Sequence, residues 1–156
     1  MRYRSIFRDG AFEGQRIVVT GGGSGIGRCT AHELAALGAH VALVGRRREK
    51  QEAVAARVAE TVREVMAGGG RIDALVNNAG GQFIAPLEKI SLNGWEAVVR
   101  TNLTGGFLMA REVYKASMAA HGGAIVNIIA DMWHSMPGMG HSGAARAGML
   151  NFTQTA

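Results

Sequence analysis

The chain has 156 residues, the length of one ordinary domain. Hydrophobic residues make up 47% and charged residues 19%, so the chain can bury a core and is not disordered. Its single cysteine excludes a disulfide scaffold and a cysteine-based zinc site. No apolar run approaches the length of about 18 residues that a membrane span needs. The first ten residues have no apolar stretch behind them, unlike a secretory signal, and we expect a cytoplasmic protein.

The net charge of +5 does not favour a nucleic-acid partner, because the 17 basic residues are spread along the chain. Only Arg46, Arg47 and Arg48 form a cluster, joined by Lys50, and no aromatic residue lies among them. A small acidic ligand explains this cluster more simply.

Short apolar runs alternate with helical patterns, which predicts a parallel α/β sheet in a single domain with an N-terminal arm over 1–14. The first half of the chain predicts strands at Arg16–Thr20, His40–Val44 and 72–76. Helices are predicted over 25–37, where Gly38 follows, and over 48–66, with Val54, Val58, Val62 and Val65 on one face. In the second half, Ser91 is expected to cap a helix whose inner side carries Trp95, Val98 and Val99. A helix over 102–120, a strand over 124–129, a loop over 130–140 and a helix over 141–156 complete the pattern.

A glycine-rich turn lies between the first predicted strand and the first predicted helix, in the sequence Thr20-Gly-Gly-Gly-Ser-Gly-Ile-Gly27. Gly21 permits the tight turn, Gly25 lets backbone amides approach a pyrophosphate, and Gly27 lets the helix pack closely on the strand. The helix N-terminus adds partial positive charge. The candidate cofactor-binding residues of this turn are Gly21, Gly23, Ser24, Gly25, Ile26 and Gly27. The alternative is a glycine-rich turn with no ligand.

A second motif, Leu75-Val-Asn-Asn-Ala-Gly80, ends the third predicted strand. Together with the glycine turn, it resembles the short-chain dehydrogenase/reductase family, over about residues 15–156. The resemblance implies a Rossmann-like, doubly wound parallel sheet with about four recognisable strands, and cofactor contacts from Asn78, Ala79 and Gly80. Asn102 falls where that family keeps its active-site asparagine, and the helix that follows it is the one the family uses to form homo-oligomers.

Within the family, the segments Asn77-Asn-Ala-Gly-Gly-Gln-Phe83 and His141-Ser-Gly-Ala-Ala-Arg-Ala-Gly148 are most similar to peroxisomal trans-2-enoyl-CoA reductases and their bacterial relatives. The resemblance implies a small-molecule substrate of the acyl-CoA class whose carbon–carbon double bond is reduced with NADPH.

Cofactor preference follows from the residues after the second predicted strand. Dinucleotide folds specific for NAD place an Asp or Glu there to bind the ribose 2′-hydroxyl. This chain has Gly45, Arg46 and Arg47, and a guanidinium suits a 2′-phosphate. The sequence therefore predicts NADP(H) over NAD(H). The alternative is a solvated basic start of a helix.

The chain departs from the family pattern in the middle, where only residues 46–76 separate Gly45 from Asn77. The family places a helix, a strand and a second helix there, which needs roughly 35 to 45 residues at ordinary element lengths. We expect the family's third strand to be missing. A direct crossover then gives the strand order 2-1-3-4. The chain also stops at Ala156, before the family's next strand, and is expected to be the cofactor-binding part of an enzyme.

The second departure concerns catalysis, since the family uses a serine, a tyrosine and a lysine four residues after the tyrosine. One alignment places Ser142 and Arg146 at the last two positions, and a shifted one places Leu150 and Gln154 there. The serine position falls on Ile129 or Ala130. Tyr3 and Tyr114 lie too far away to substitute. His141 is the nearest replacement proton donor, or else an ordinary surface histidine.

Three further features have ordinary interpretations. Met132, Trp133, Met136 and Met139 give the loop after the last strand an adaptable apolar surface, suited to an acyl chain or to packing against a further part of the family's domain. Asp131 and His134 on this loop are too few for a metal site. Cys29 is expected to serve in packing. Two functions stay open: an NADP(H)-dependent oxidoreductase, and a non-catalytic nucleotide-binding or dimerisation module.

Overall fold

The computed structural model describes residues 5–45 and 51–156, with side chains from residue 56 onward in the second range. The first part contains β1 (Arg16–Thr20), α1 (Gly25–Ala36), β2 (His40–Val44), α2 (Gln51–Ala67) and β3 (Ala74–Asn77). The second part begins with a 3₁₀ turn (Leu87–Lys89) and contains α3 (Leu92–Val99), α4 (Gly105–Val113), α5 (Ala119–His121), β4 (Ala124–Asn127) and α6 (Gly140–Thr155).

The four strands form one sheet in the order β2-β1-β3-β4. β1 pairs in parallel with β2, from Arg16 opposite His40 to Thr20 opposite Val44, and in parallel with β3 on its other side. The predicted fold class and the predicted strand order are both confirmed. β1 occupies the interior of the sheet because its run of β-branched residues is buried, with Val18 and Val19 almost fully inaccessible.

The described residues divide into two compact units. The first consists of the chain up to Asn78 and of Leu108–Val126, and it contains nearly the whole sheet. α1 packs on β1 and β2, and α2 packs on the helical turn at Tyr114–Met118. The second unit consists of Ala79–Phe107 and Asn127–Ala156, in which α6 packs on α3.

The long helical segment after Ser91 contains two π-helical turns, at Arg100–Thr104 and at Tyr114–Met118. The Ser91 hydroxyl accepts a hydrogen bond from the Gly94 amide, which confirms the predicted cap. The sequence predicted a break before 102, whereas the π turn lets the helix continue through Asn102. A π turn inserts one extra residue into a helical turn, and Asn102 and Ser117 both lie in such turns.

Two strands are shorter than predicted, for reasons visible in their hydrogen bonds. β3 begins at Ala74 because the backbone of Ile72 is bonded to a side chain: the Ser117 hydroxyl accepts from the Ile72 amide and donates to the Ile72 carbonyl. β4 ends at Asn127, and the carbonyl of Ile128 accepts a hydrogen bond from Arg146.

Several predicted burials are corrected. Val98 is buried, but Trp95 is 39% exposed, because α3 turns a narrower face inward than the pattern suggested. Cys29 is exposed on α1 and does not serve in core packing. On α2, Val62 is buried and Val58 and Val65 are half-buried, as the pattern predicted.

The N-terminal arm is attached to α1 from residue 5 onward: the Phe12 amide donates to the Leu37 carbonyl, and the Ser5 hydroxyl donates to Glu33. In the described ranges, no helix is long and apolar enough to cross a membrane.

Candidate functional site

The glycine-rich turn of the first unit has an outer face and an inner face. Its outer residues are exposed: Gly23, Ser24, Gly25 and Ile26. Gly23 and Gly25 have no heavy atom within 4 Å of the point where a Cβ would stand. Its inner residues, Gly22 and Gly27, are buried. The turn therefore exposes the backbone of its outer face to solvent, while its inner face packs against the protein.

The anchor of the turn is Asn78, which follows β3. Its side-chain amide donates to the carbonyls of Thr20, at 3.0 Å, and of Gly21, at 3.3 Å. Its backbone amide donates to the Thr20 hydroxyl at 3.0 Å. A Cβ at Gly27 would collide with this Asn78 amide and with the Gly21 carbonyl. The sequence predicted close packing at Gly27, and the structure shows that Asn78 is what it packs against.

The outer face of this turn fits a phosphate group. α1 begins there with Ser24 as its N-cap, and the Ser24 side chain makes no capping hydrogen bond. No acidic residue lies in the first turn of α1, so nothing cancels the partial positive charge of its free amides. Arg46 and Arg47, the predicted 2′-phosphate contacts, lie outside the described residues.

Asn102, the predicted active-site asparagine, is buried in the second unit. Its side-chain nitrogen donates to the Gly81 carbonyl and its side-chain oxygen accepts from the Gly81 amide, both at 2.9 Å. Both polar atoms of Asn102 are therefore used to hold one residue of the segment that follows β3.

The other three candidate catalytic residues lie on α6 and contact the same segment, residues 80–83, which we call the clasped segment. The Ser142 hydroxyl donates to the Gln82 side-chain oxygen at 2.8 Å. The ring of His141 lies tilted on the ring of Phe83, with centroids 4.3 Å apart. The Arg146 guanidinium occupies the space where a Cβ of Gly80 would stand. Each of the four candidates therefore lies against one residue of the clasped segment, and Asn102 and Ser142 bind theirs by hydrogen bonds.

Arg146 is half-buried and has no acidic partner among the residues that the structure describes. Its Nη1 donates to the Ile128 carbonyl at 2.6 Å, and its buried Nε has no hydrogen-bond partner. Burial lowers the pKa of this guanidinium from its ordinary value. An arginine nevertheless stays protonated in proteins. The second unit therefore holds a fixed positive charge with no compensating carboxylate.

His141 is fully buried, which corrects the interpretation as a surface histidine. Neither ring nitrogen has a hydrogen-bond partner. Its burial follows from the aromatic contact with Phe83, which the sequence alone did not indicate. The role of His141 as a replacement proton donor stays a prediction.

No tyrosine occupies either position that the resemblance indicated. In the shifted alignment, Leu150 is half-buried and Gln154 is exposed. Ile129 and Ala130 are half-buried and carry no hydroxyl. Tyr114 is 57% exposed on the π turn after α4, and Tyr3 lies outside the described residues.

The loop after β4 is partly exposed. Trp133 is 70% exposed, and Met132, Met136 and Met139 are half-buried. His134 and Asp131 are 3.7 Å apart at the surface. In the described part of the chain, no group of three or more His, Cys, Asp or Glu side chains could hold a metal ion.

Sequence reasoning did not identify the four residues that these candidates contact: Gly81, Gln82, Phe83 and Ile128. A buried serine in a helix, such as Ser117, is a signal that a nearby backbone needs a partner. No local signal identifies the partner of Ser142, because Gln82 lies 60 residues away in sequence.

Comparison with known proteins agrees with this architecture. A family model described as short chain dehydrogenase matches residues 15–67 and 55–156. A solved structure described as a citronellol catabolism dehydrogenase of Pseudomonas aeruginosa PAO1 is 57% identical, with a TM-score of 0.88, and the match covers 99% of this chain and 72% of that one. A structure with bound NADP from Beutenbergia cavernae, described as an NAD(P) dependent gluconate 5-dehydrogenase, is 31% identical with a TM-score of 0.81, covering 94% of this chain and 66% of that one.

Among curated proteins, one described as a 2,4-dienoyl-CoA reductase of Bacillus subtilis (strain 168) is 33% identical over 165 aligned positions. The match covers 92% of this chain and 65% of that relative, so the chain spans less than two thirds of its length. Because 165 positions contain only 92% of 156 residues, the relative has residues where this chain has none.

The two family matches overlap at residues 55–67, within α2. Between β2 and β3, the described residues contain α2 and no strand; the loss of the family's third strand stays a prediction. Fold, strand order, sequence identity and family match agree, and the chain belongs to the short chain dehydrogenase family.

Proposed function

We propose that this chain is the dinucleotide-binding part of an NADP(H)-dependent oxidoreductase that reduces an enoyl thioester. The observation that carries the proposal is the exposed backbone of the glycine turn at the start of α1, anchored from below by Asn78. A reduced nicotinamide dinucleotide supplies a hydride when it is bound.

The residues of the first unit would hold the phosphates of that dinucleotide. The open backbone at Gly23 and Gly25 admits a pyrophosphate, and the free amides at the start of α1 donate to its oxygens. Arg46 and Arg47 would bind a 2′-phosphate, because they follow β2 and Gly45 directly, at the place where folds specific for NAD put a carboxylate for the free 2′-hydroxyl. The neighbour with bound NADP supports a phosphorylated cofactor.

The substrate class is supported by the names of the relatives and by the chemistry of the second unit. Relatives in Bacillus subtilis, Mus musculus and other organisms are described as 2,4-dienoyl-CoA reductases. The loop with Met132, Trp133 and Met136 offers apolar surface to an acyl chain. Reduction of a ketone needs an acid at the carbonyl oxygen, and neither family register supplies a tyrosine there.

A second function is favoured by one specific observation: Asn102 and Ser142 are both occupied with the clasped segment. A chain whose polar side chains hold its own backbone could bind a dinucleotide without oxidising or reducing it, or could form a dimer without catalysis. The exposed Tyr114 and Phe107 on the helical segment after Asn102 support a homo-oligomer. Free Cys29 is compatible with a reducing compartment such as the cytoplasm.

The first experiment is a fluorescence titration of the chain with NADPH and, separately, with NADH. Saturable binding that is tighter for NADPH is expected, and Arg46→Asp is expected to reverse the preference. Arg63→Asp makes the same charge change at an exposed position of α2 and should leave the preference intact. Equal affinities for NADPH and NADH in the wild type and in Arg46→Asp would falsify the assignment of the cofactor.

Turnover separates the two functions. An enzyme oxidises NADPH when a trans-2-enoyl-CoA or a 2,4-dienoyl-CoA is added, and the decrease in absorbance of the reduced nicotinamide reports this. A binding module shows saturable NADPH binding and no oxidation with either thioester.

A further inference from the structure

The N-terminal arm exposes two large apolar side chains to solvent. Ile6 is 94% exposed, and the neighbouring Phe7 is 60% exposed. A single exposed apolar residue is ordinary on a protein surface, whereas adjacent ones form a small apolar patch. Because Ile6 keeps nearly all of its surface in water, it adds almost nothing to the packing of the first unit.

The backbone on both sides of this apolar pair is held by hydrogen bonds. The Ser5 hydroxyl donates to the Glu33 carboxylate of α1 and accepts from the Phe7 amide at 3.0 Å. The Ala11 amide donates to the Arg8 carbonyl at 3.2 Å. The arm therefore presents its apolar pair from a backbone that is attached to α1.

Basic residues flank the apolar pair. Arg8 follows it directly, is exposed and forms no ion pair with the residues that the structure describes. Arg2 and Arg4, which lie outside the described residues, precede the pair in sequence, and Asp9 is the only acidic residue among the first ten. The arm therefore combines exposed apolar surface with a positive net charge.

We propose that this arm is a membrane-contact site, at which Ile6 and Phe7 enter the headgroup region of an anionic phospholipid bilayer and the arginines bind lipid phosphates. Apolar side chains leave water favourably at the boundary between headgroups and acyl chains, and basic residues beside them are attracted to the negative surface. None of these residues belongs to the proposed dinucleotide site, so the inference does not depend on the proposed function.

Two features of the apolar pair favour a bilayer over a macromolecular partner. A lipid surface needs no complementary shape, so it can take up a side chain such as Ile6 that is exposed on nearly all sides. The more exposed member of the pair is aliphatic, whereas single-stranded nucleic acid is bound by aromatic side chains on which bases stack. Since only two apolar side chains enter the bilayer, the contact is expected to be weak and reversible.

The test is sedimentation of the chain with vesicles of phosphatidylcholine that contain or lack phosphatidylglycerol. The wild type should bind the anionic vesicles more tightly than the neutral ones, and added salt should release it. Ile6→Ser should weaken binding to anionic vesicles roughly tenfold, because one large aliphatic side chain no longer leaves water. Arg8→Gln should weaken it roughly fivefold, the effect of one basic residue near an anionic surface. Both side chains are exposed, so urea denaturation should give the wild-type stability for each variant.

Two matched controls locate the contact on the arm. Leu87→Ser removes a similarly exposed apolar side chain that belongs to the second unit. Arg63→Gln removes an exposed arginine of α2. Both variants should bind anionic vesicles as the wild type does. If Leu87→Ser loses as much binding as Ile6→Ser, the contact does not lie on the arm and the proposal is overturned.

Three other results also overturn the proposal. The first is a wild type that does not bind anionic vesicles. The second is an oligomer that Ile6→Ser dissociates in analytical ultracentrifugation while vesicle binding is unchanged, since the arm would then contact a second copy of the chain. The third is binding of a single-stranded oligonucleotide that Arg8→Gln loses and Ile6→Ser keeps, with vesicle binding the same in both variants and the wild type.

Discussion

The two hydrogen bonds between Asn102 and Gly81 predict how much free energy of unfolding the variant Asn102→Ala loses. The variant removes one donor and one acceptor that each lie 2.9 Å from a Gly81 backbone atom. A net contribution of about 0.5 to 1.5 kcal/mol for each bond gives a loss of about 2 kcal/mol. Gly81 is half-buried, so water can replace part of the two lost hydrogen bonds. The larger penalty for a fully buried polar group without a partner therefore does not apply.

The assay for this prediction is amide hydrogen exchange, because it reports the opening of an individual amide as well as global unfolding. A loss of about 2 kcal/mol raises the opening constant of the Gly81 amide by roughly 30-fold. Urea denaturation should show a loss of free energy of unfolding of similar size. Asn151→Ala, an exposed position on α6, is the matched control and should change neither quantity. Exchange at Gly81 that is as slow in Asn102→Ala as in Asn151→Ala would refute the reasoning.

Two further predictions concern the first unit. Ser117→Ala leaves the amide and the carbonyl of fully buried Ile72 without partners. The variant is expected to lower the free energy of unfolding, measured by urea denaturation, by about 2 to 3 kcal/mol. Ala116→Ser, at the exposed neighbouring position, is the control and should have little effect. Gly27→Ala forces a methyl group against the Gly21 carbonyl and should cost about 1 to 3 kcal/mol, again by denaturation. In Gly23→Ala the added methyl group meets no atom within 4 Å, so the variant should keep the wild-type stability and bind NADPH more weakly. A similar loss of stability in Gly23→Ala and Gly27→Ala would contradict the distinction between an exposed outer face and a buried inner face of the turn.

The sequence predicted the first βαβ unit almost residue by residue because its boundaries depend on local chemistry. The β-branched run of β1, the glycine turn and the glycine after α1 each limit an element without help from distant residues. The strand order followed from the resemblance to the family together with the short interval between β2 and β3, which leaves room for one crossover helix.

The rest of the structure depends on contacts between distant residues. β3 starts two residues later than predicted because Ser117, 45 residues away, holds Ile72. The sequence did not predict the π turn at Arg100–Thr104, which places Asn102 opposite Gly81. A surface position was one of two interpretations of His141, because no pattern in a single sequence shows that Phe83 covers it.

β2 lies at one edge of the four-stranded sheet that the described residues form. In the described ranges, β2 has β1 on one side and no strand on the other, and Leu43 is 58% exposed. An apolar edge strand with free backbone groups pairs with other chains, and a charge on it opposes this pairing. Leu43→Lys is expected to suppress the concentration-dependent formation of large aggregates that light scattering measures. The aliphatic part of the lysine side chain still covers Gly22, as Leu43 does. Tyr114→Lys places the same charge on an exposed helix residue, and it can disrupt a closed dimer without stopping open-ended growth at a strand edge. Growth that continues in Leu43→Lys and stops in Tyr114→Lys would locate the association on the helix instead.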